Sequence, residues 1–382
     1  MPIEKKLGGG GHQQEYSTED GKFVETGAPS SSSNSEKDFS IDELFGIPLN
    51  HNLSNDNVAE LFDRPTVSSA RKNIFDLKTI RDTVMKNEEE GIAMLNKLYP
   101  TAIDKNVSSI YSVPTIFSNG VKFKTTNDYT DEELLNMQRN FEDLIGKDKY
   151  DDIERKAKFE TESIRTVERM NMRENIIKDE MAEQERILAR EDIDIKKQRK
   201  CVIVLGLPGS GKSTIATPMM KRMGAYIIDA DNMKSRIPEF QNDPNMIDAV
   251  HGESVDCANM MLQKVMENGS NVVIGKVGGY SAGIIEQVKE MQDAGYSVNV
   301  ILNVVALETS LDRVNSRYQI GESSRIVPPA ISFDSDINMH TTYDLCCNIP
   351  GVNCAMYSNE VEKGQKPELL RTDGDNTDDL IL

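Results

Sequence analysis

An apolar run, Val202–Leu205, leads directly into Gly206-Leu-Pro208-Gly209-Ser210-Gly211-Lys212-Ser213-Thr214. Glycines at these positions let the backbone turn tightly, so that successive N–H groups converge on one anion. Lys212 adds a point charge for the β- and γ-phosphates of a nucleotide, and the Ser213 hydroxyl is a ligand for Mg²⁺. A helix opening at Lys212 directs the positive end of its dipole at the same place. The chemistry is the holding of ATP or GTP. Gly206, Pro208, Gly209, Ser210, Gly211, Lys212, Ser213 and Thr214 are the candidate nucleotide-binding residues.

Two further groups could act on a bound phosphate. An apolar run ends in Asp229-Ala-Asp231, where a carboxylate could orient an attacking hydroxyl or take its proton. Asp231 would serve equally well as a helix N-cap. Arg313 and Arg317 fall on one predicted helix, and Arg325 lies in the loop after it. Arginines near such a loop stabilise charge on a migrating phosphoryl group, whereas any one alone could form a surface ion pair. His251-Gly-Glu253 opens another helix and reads as structural.

Positioning these groups requires a sheet. Apolar strands at 201–207, 225–231, 270–277 and 297–306, with a weaker fifth at 354–359, alternate with helices near 213–223, 245–267, 281–294 and 307–320. The pattern predicts an α/β fold: a P-loop NTPase-type parallel sheet with helices on both faces. Ligands then sit at the carboxyl ends of the strands, where the Gly-rich loop lies.

The expected organisation is a disordered low-complexity tail over 1–55 and a small, mostly helical region over 56–146. A long charged helix or helical hairpin follows over 147–198, then the P-loop domain over 199–363 and an acidic mobile tail over 364–382. Within this, Asn119-Gly120 suggests a hairpin, and Thr130-Asp-Glu-Glu133 reads as a capping box that opens a helix ending before Gly146. The chain of 382 residues carries a net charge of −19, which argues against nucleic acid as a general partner. Its five cysteines show no zinc-like spacing and suit a reducing setting. No run approaches the length of a membrane span.

The segments GLPGSGKST, IIDADNMKSRIPEF, HGESVDCANMMLQKVMENGSNVVIGKVGG and AGYSVNVILNVVALETSLDRVNSRYQIGESSRIVPPAI, in this order, resemble the zeta toxin family of P-loop kinases over residues 196–360. The resemblance implies ATP- or GTP-dependent phosphorylation of a small-molecule hydroxyl, typically on a UDP-activated amino sugar such as UDP-N-acetylglucosamine. It assigns phosphate and Mg²⁺ binding to Lys212 and Ser213, the catalytic carboxylate to Asp231, and charge stabilisation to Arg313 and Arg325, with Arg317 as an alternative to Arg313. It also implies an inhibitor, either a separate antitoxin or this chain's own helices at 130–198. The sequence departs from the family pattern at Ile237-Pro238, where a His-Pro pair is usual, and at Asn259, where another acid is expected. Gly275-Lys-Val-Gly-Gly279 stands where the family shows an acidic residue followed by Gly and Thr, so the acceptor site is lost or remodelled there.

Two other functions fit the same motif: a nucleoside or nucleic-acid-end kinase, and a nucleotide-binding phage-associated structural protein without catalysis. The N-terminal tail is similar to tails of phage head-associated polypeptides, which is the support for the second. The expected location is cytoplasmic, or the virion if the protein is phage-encoded.

Overall fold

In the computed structural model the described residues are 77–102, 109–320, 327–362 and 364–382. The expected tail over 1–55, the start of the helical region over 56–76, and Arg325 lie outside them.

β1 (Lys200–Leu205), β3 (Val272–Lys276) and β4 (Ser297–Val304) read as near-continuous apolar runs because both their faces are covered. They form the centre of a six-stranded sheet completed by β2 (Tyr226–Ile228), β5 (Asn353–Ser358) and β6 (Glu368–Asp373), in the order β2-β3-β1-β4-β5-β6. The first five strands are parallel, and β6 pairs antiparallel with β5. Successive residues of β1 serve opposite cores. Cys201, Ile203 and Leu205 face the larger one, while Val202 and Val204 pack against Ile215 and Met219 from the helix after the loop.

Four helices in the carboxyl-terminal half follow the expected bounds closely. α5 (Ser213–Met223), α8 (His251–Glu267), α9 (Ser281–Asp293) and α10 (Leu307–Gln319) each connect or follow parallel strands. The short α6 (Ala230–Lys234) and α7 (Pro238–Asn242) follow β2. Two elements were not foreseen. α11 (Pro329–Cys347) is buried on all sides, with Asp336, Asn338, His340, Thr342 and Asp344 inside, so it shows no amphipathic stripe. β6 and a short 3₁₀ turn at Asp378–Leu380 occupy 364–382, where a mobile acidic tail was expected. Leu380 is buried, and its carbonyl accepts the Tyr357 hydroxyl at 2.7 Å.

The N-terminal helices are α1 (Leu77–Leu98), α2 (Asp131–Ile145), α3 (Lys147–Lys156) and α4 (Val167–Ala189). α1 packs on α9 and α11. The hairpin at Asn119-Gly120 is reduced to one antiparallel bridge, Ile116 with Lys122. Thr130 caps α2 through the Glu133 capping box, and Gly146 ends it at φ 82°. The charged run over 147–198, expected as one long helix or a helical hairpin, forms two helices. Helix α3 stops at Lys156, a 3₁₀ turn spans Thr161–Ser163, and Thr166 caps α4 by accepting the Arg169 N–H at 3.2 Å.

Candidate active site

The Gly-rich loop leaves the carboxyl end of β1, as expected, and its shape is set from outside. Asn303 on β4 and Asn359 after β5 both donate to the Ser210 carbonyl, at 2.9 and 2.7 Å. Ser310 on α10 donates to the Pro208 carbonyl at 2.6 Å. The crowding explains two glycines. A Cβ on Gly209 would lie 2.5 Å from the Ser310 carbonyl oxygen, and one on Gly211 would lie 2.0 Å from Asn359 Nδ2. Both residues also have positive φ, 78° and 83°. Sequence reasoning missed Asn303, Ser310 and Asn359; they lie some 90 to 150 residues downstream, and no local pattern links them to the loop.

Lys212 donates to the loop's own carbonyls, Gly206 at 2.8 Å and Leu207 at 3.0 Å. A phosphate would offer that ammonium a charged partner in place of two neutral ones, which is the stronger interaction. Ser210 Oγ is buried without a hydrogen-bond partner. The exposed Ser213 and Thr214 open α5, with Thr214 Oγ1 donating to Gly211 O at 2.7 Å. An orphaned hydroxyl, a re-deployable lysine and a helix N-terminus free of side-chain capping fit a phosphate group with its Mg²⁺, for which Ser213 is the placed hydroxyl.

On the other side of β1, the carboxyl ends of β3 and β2 bring in the segment Gly275–Gly279 and the two aspartates. The carbonyls of Lys276 and Val277 accept the Gly206 N–H, at 3.2 and 3.3 Å, so this segment touches the first residue of the loop. Gly275 faces Asp229, whose Oδ2 would be 3.7 Å from a Cβ there. The N-cap of α6 is Asp229, accepting the Asp231 N–H at 2.9 Å. Asp231 is therefore relieved of the capping role and presents a half-buried carboxylate, 3.6 Å from Lys234 Nζ. Lys234 is itself buried, 3.1 Å from His251 Nδ1.

Arg313 lies on the opposite wall. Its Nη2 donates to the carbonyls of Asn359 at 3.0 Å and Val361 at 3.4 Å, next to the asparagine that braces the loop. Burial works against its charge and lowers its pKa, the Glu360 carboxylate opposing that shift. Arg317 is exposed further along α10. Glu253 turns out to be an anchor. It is fully buried and accepts Arg169 Nε and Arg173 Nε, each at 2.7 Å. Burial opposes its ionisation, but the hydrogen bonds from Arg169 and Arg173 outweigh this and hold its carboxyl below the usual range.

Residues 184–347 match the family model described as Zeta toxin. This part of the chain is a zeta toxin domain. Among solved structures, the domain is similar to one from the PezAT chromosomal toxin–antitoxin system of Streptococcus pneumoniae, at 18% identity over 54% of this chain and 84% of that one (TM-score 0.38). It is similar too to the AvrRxo1-ORF1:AvrRxo1-ORF2 complex with sulphate ions, at 17% identity over 56% and 69% of the two chains (TM-score 0.43). The corresponding complex with ATP gives 16% identity over 54% and 68% (TM-score 0.42). No curated protein matches the chain. No helix among the described residues of the zeta toxin domain or its N-terminal extension is long and apolar enough to cross a membrane.

Proposed function

We propose that the zeta toxin domain transfers the γ-phosphoryl group of ATP or GTP to a hydroxyl of a small molecule. The observation that carries this reading is the placement of a carboxylate and an arginine on opposite sides of the phosphate loop, Asp231 after β2 and Arg313 after β4. The loop N–H groups and Lys212 hold the β- and γ-phosphates. Ser213 would hold Mg²⁺, which when bound screens phosphate charge. Asp231 orients the acceptor hydroxyl and takes its proton as the acceptor oxygen bonds to the γ-phosphorus and the bond to the bridging oxygen breaks. Arg313, with Arg325 further along the sequence, neutralises charge on the moving group. Catalysis of this kind is positioning and electrostatics, so each group is needed in place rather than merely present.

Gly275, beside Asp229, leaves space for an acceptor where a larger residue would intrude. UDP-N-acetylglucosamine is the first acceptor to offer, followed by other sugars, nucleosides and oligonucleotide ends. An antitoxin is the natural kind of partner for a zeta toxin domain. Among the described helices ahead of the domain, α2 and α3 share a hydrophobic cluster between its two walls. Phe240 of α7 and Tyr318 of α10 pack on this cluster, which Phe141, Ile145 and Ile153 form with Ile247, and Lys149 donates to the Tyr318 hydroxyl at 2.9 Å. A supply of ATP and five free cysteines fit a cytoplasmic location.

The test is mass-spectrometric. The full chain with Mg²⁺-ATP and UDP-N-acetylglucosamine, then the wider panel, should show an acceptor gaining one phosphate, and the gain should vanish in Lys212→Ala. Nucleotide binding with no transfer to any acceptor or to water would instead favour a non-catalytic, nucleotide-binding role.

A further inference from the structure

β2 is three residues long and lies at the edge of the sheet, and α6 after it has only five. Neither is self-sufficient: an edge strand leaves peptide groups unpaired, and one helical turn is marginal alone. Both are held by α4. The Gln184 side-chain amide acts as a substitute strand, accepting the Ile227 N–H at 2.7 Å and donating to the Ile227 carbonyl at 2.8 Å. One turn earlier on the same face, Glu180 accepts from Gln184 Nε2 at 2.9 Å, from Asn232 Nδ2 at 3.2 Å and from Arg236 Nε at 2.8 Å. The pair is almost fully buried, Glu180 at 5% and Gln184 at 4% exposure. Its contacts at 227, 232 and 236 bracket Asp231 on both sides.

The platform is itself rigid. Arg173, 1% exposed, and Arg169 tie α4 to Glu253 on α8, and Arg173 Nη2 also donates to the carbonyls of Glu162 and Ile164, each at 3.1 Å. Arg169 reaches the α7 side too, with Nη1 2.6 Å from Glu239 Oε1. None of these groups touches the phosphate loop.

We propose that Glu180 and Gln184 are positioning residues for Asp231, so that the acceptor side of the site is completed by a helix lying mostly before the family-matching segment. This rests on the kinase reading of Asp231. It also reverses what an inhibitory role for the whole 130–198 run would imply. A chain cut after α4 should lose turnover, because the segment carrying Asp231 would lose its support.

The experiment uses the full chain, Mg²⁺-ATP with water as the acceptor, and a fluorescent ATP analogue to read binding separately. Glu180→Ala and Gln184→Ala should each lower kcat about ten- to a hundredfold, as expected for a displacement on the order of 1 Å, with analogue affinity unchanged within about twofold. Glu180→Gln, which keeps an accepting oxygen, should recover part of the loss. In an Asp231→Asn background, Glu180→Ala should cost little more, because a residue acting through Asp231 has nothing left to act on. Undiminished kcat in Glu180→Ala, an equal loss in the Asp231→Asn background, or a matching fall in nucleotide affinity would overturn the positioning role. If the unsubstituted chain binds the analogue but transfers phosphate neither to water nor to any acceptor of the panel, the kinase reading fails, and this inference falls with it.

Discussion

The Gly-rich loop on one side of the site and the β2–α6 segment with Asp231 on the other are supported in different ways. The Gly-rich loop is braced by Asn303 and Ser310, inside the family-matching segment, and by Asn359, in the turn after β5 beyond its end. The β2–α6 segment with Asp231 is braced from α4, by Glu180 just ahead of the family match and Gln184 at its first residue. Phosphate is the same for every nucleotide, and its cradle here is built from the β4, α10 and β5 side of the sheet. The segment with Asp231 depends instead on α4, on the β2 side of the sheet. The two sides should therefore fail separately.

Lys212→Ala should have the largest effect. Removing the one loop ammonium should cost about a thousandfold in turnover with thermal stability unchanged, as calorimetry would verify. A fall in melting temperature would show that Lys212 also holds the loop together.

Next is Arg173→Met, which takes one buried cation from Glu253. Unfolding in urea should lose about 3 kcal/mol, and turnover should fall well before nucleotide affinity does. If both fell together, the two sides would not be independent.

Asn359→Ala should act on the other side only. It leaves the Ser210 carbonyl with Asn303 as its remaining side-chain donor, for about 1 kcal/mol of stability and about tenfold weaker nucleotide binding by titration, an affinity loss of about 1.4 kcal/mol. Its effect should add to that of Glu180→Ala, since the two residues share no partner.

Smallest is Asp336→Asn, in the buried helix α11. Burial pushes the Asp336 carboxyl up to about 7, against the Thr126 N–H that favours its charge. The folded state then holds a proton that the unfolded chain releases near the ordinary carboxylate value. The stability this group contributes is present at low pH and is lost as pH rises through about 7. Asp336→Asn should match the parent in melting temperature near about pH 4 and exceed it near about pH 8. Parallel curves would rule this out.

What the sequence made legible follows the same division. The Gly-rich loop and its strand could be read because their constraints are local: φ at Gly209 and Gly211, an ammonium at Lys212, a helix opening at Ser213. Parallel strands buried on two faces declared themselves as apolar runs. Helix α11 did not, because buried polar residues such as Asp336 and Asn338 erase the periodicity that marks a helix. β6 is short, charged and on an edge, so it resembled a tail. Glu180 and Gln184 were hidden among charged residues of a helix whose partners, Ile227 and Arg236, become visible only in three dimensions. Asp231 could be singled out, but that Asp229 caps α6 in its place needed the structure. Arg325 falls outside the described residues, and its role stands on the resemblance alone.

Hydrogen exchange read by mass spectrometry on the full chain and on Glu180→Ala tests the separation of the two sides most directly. The account predicts that protection is lost over residues 226–241 while the loop at 206–213 and strand β1 keep theirs, and that added ATP slows exchange at the loop equally in both proteins. Loss of protection spread evenly over both segments, or no loss at 226–241, would contradict it.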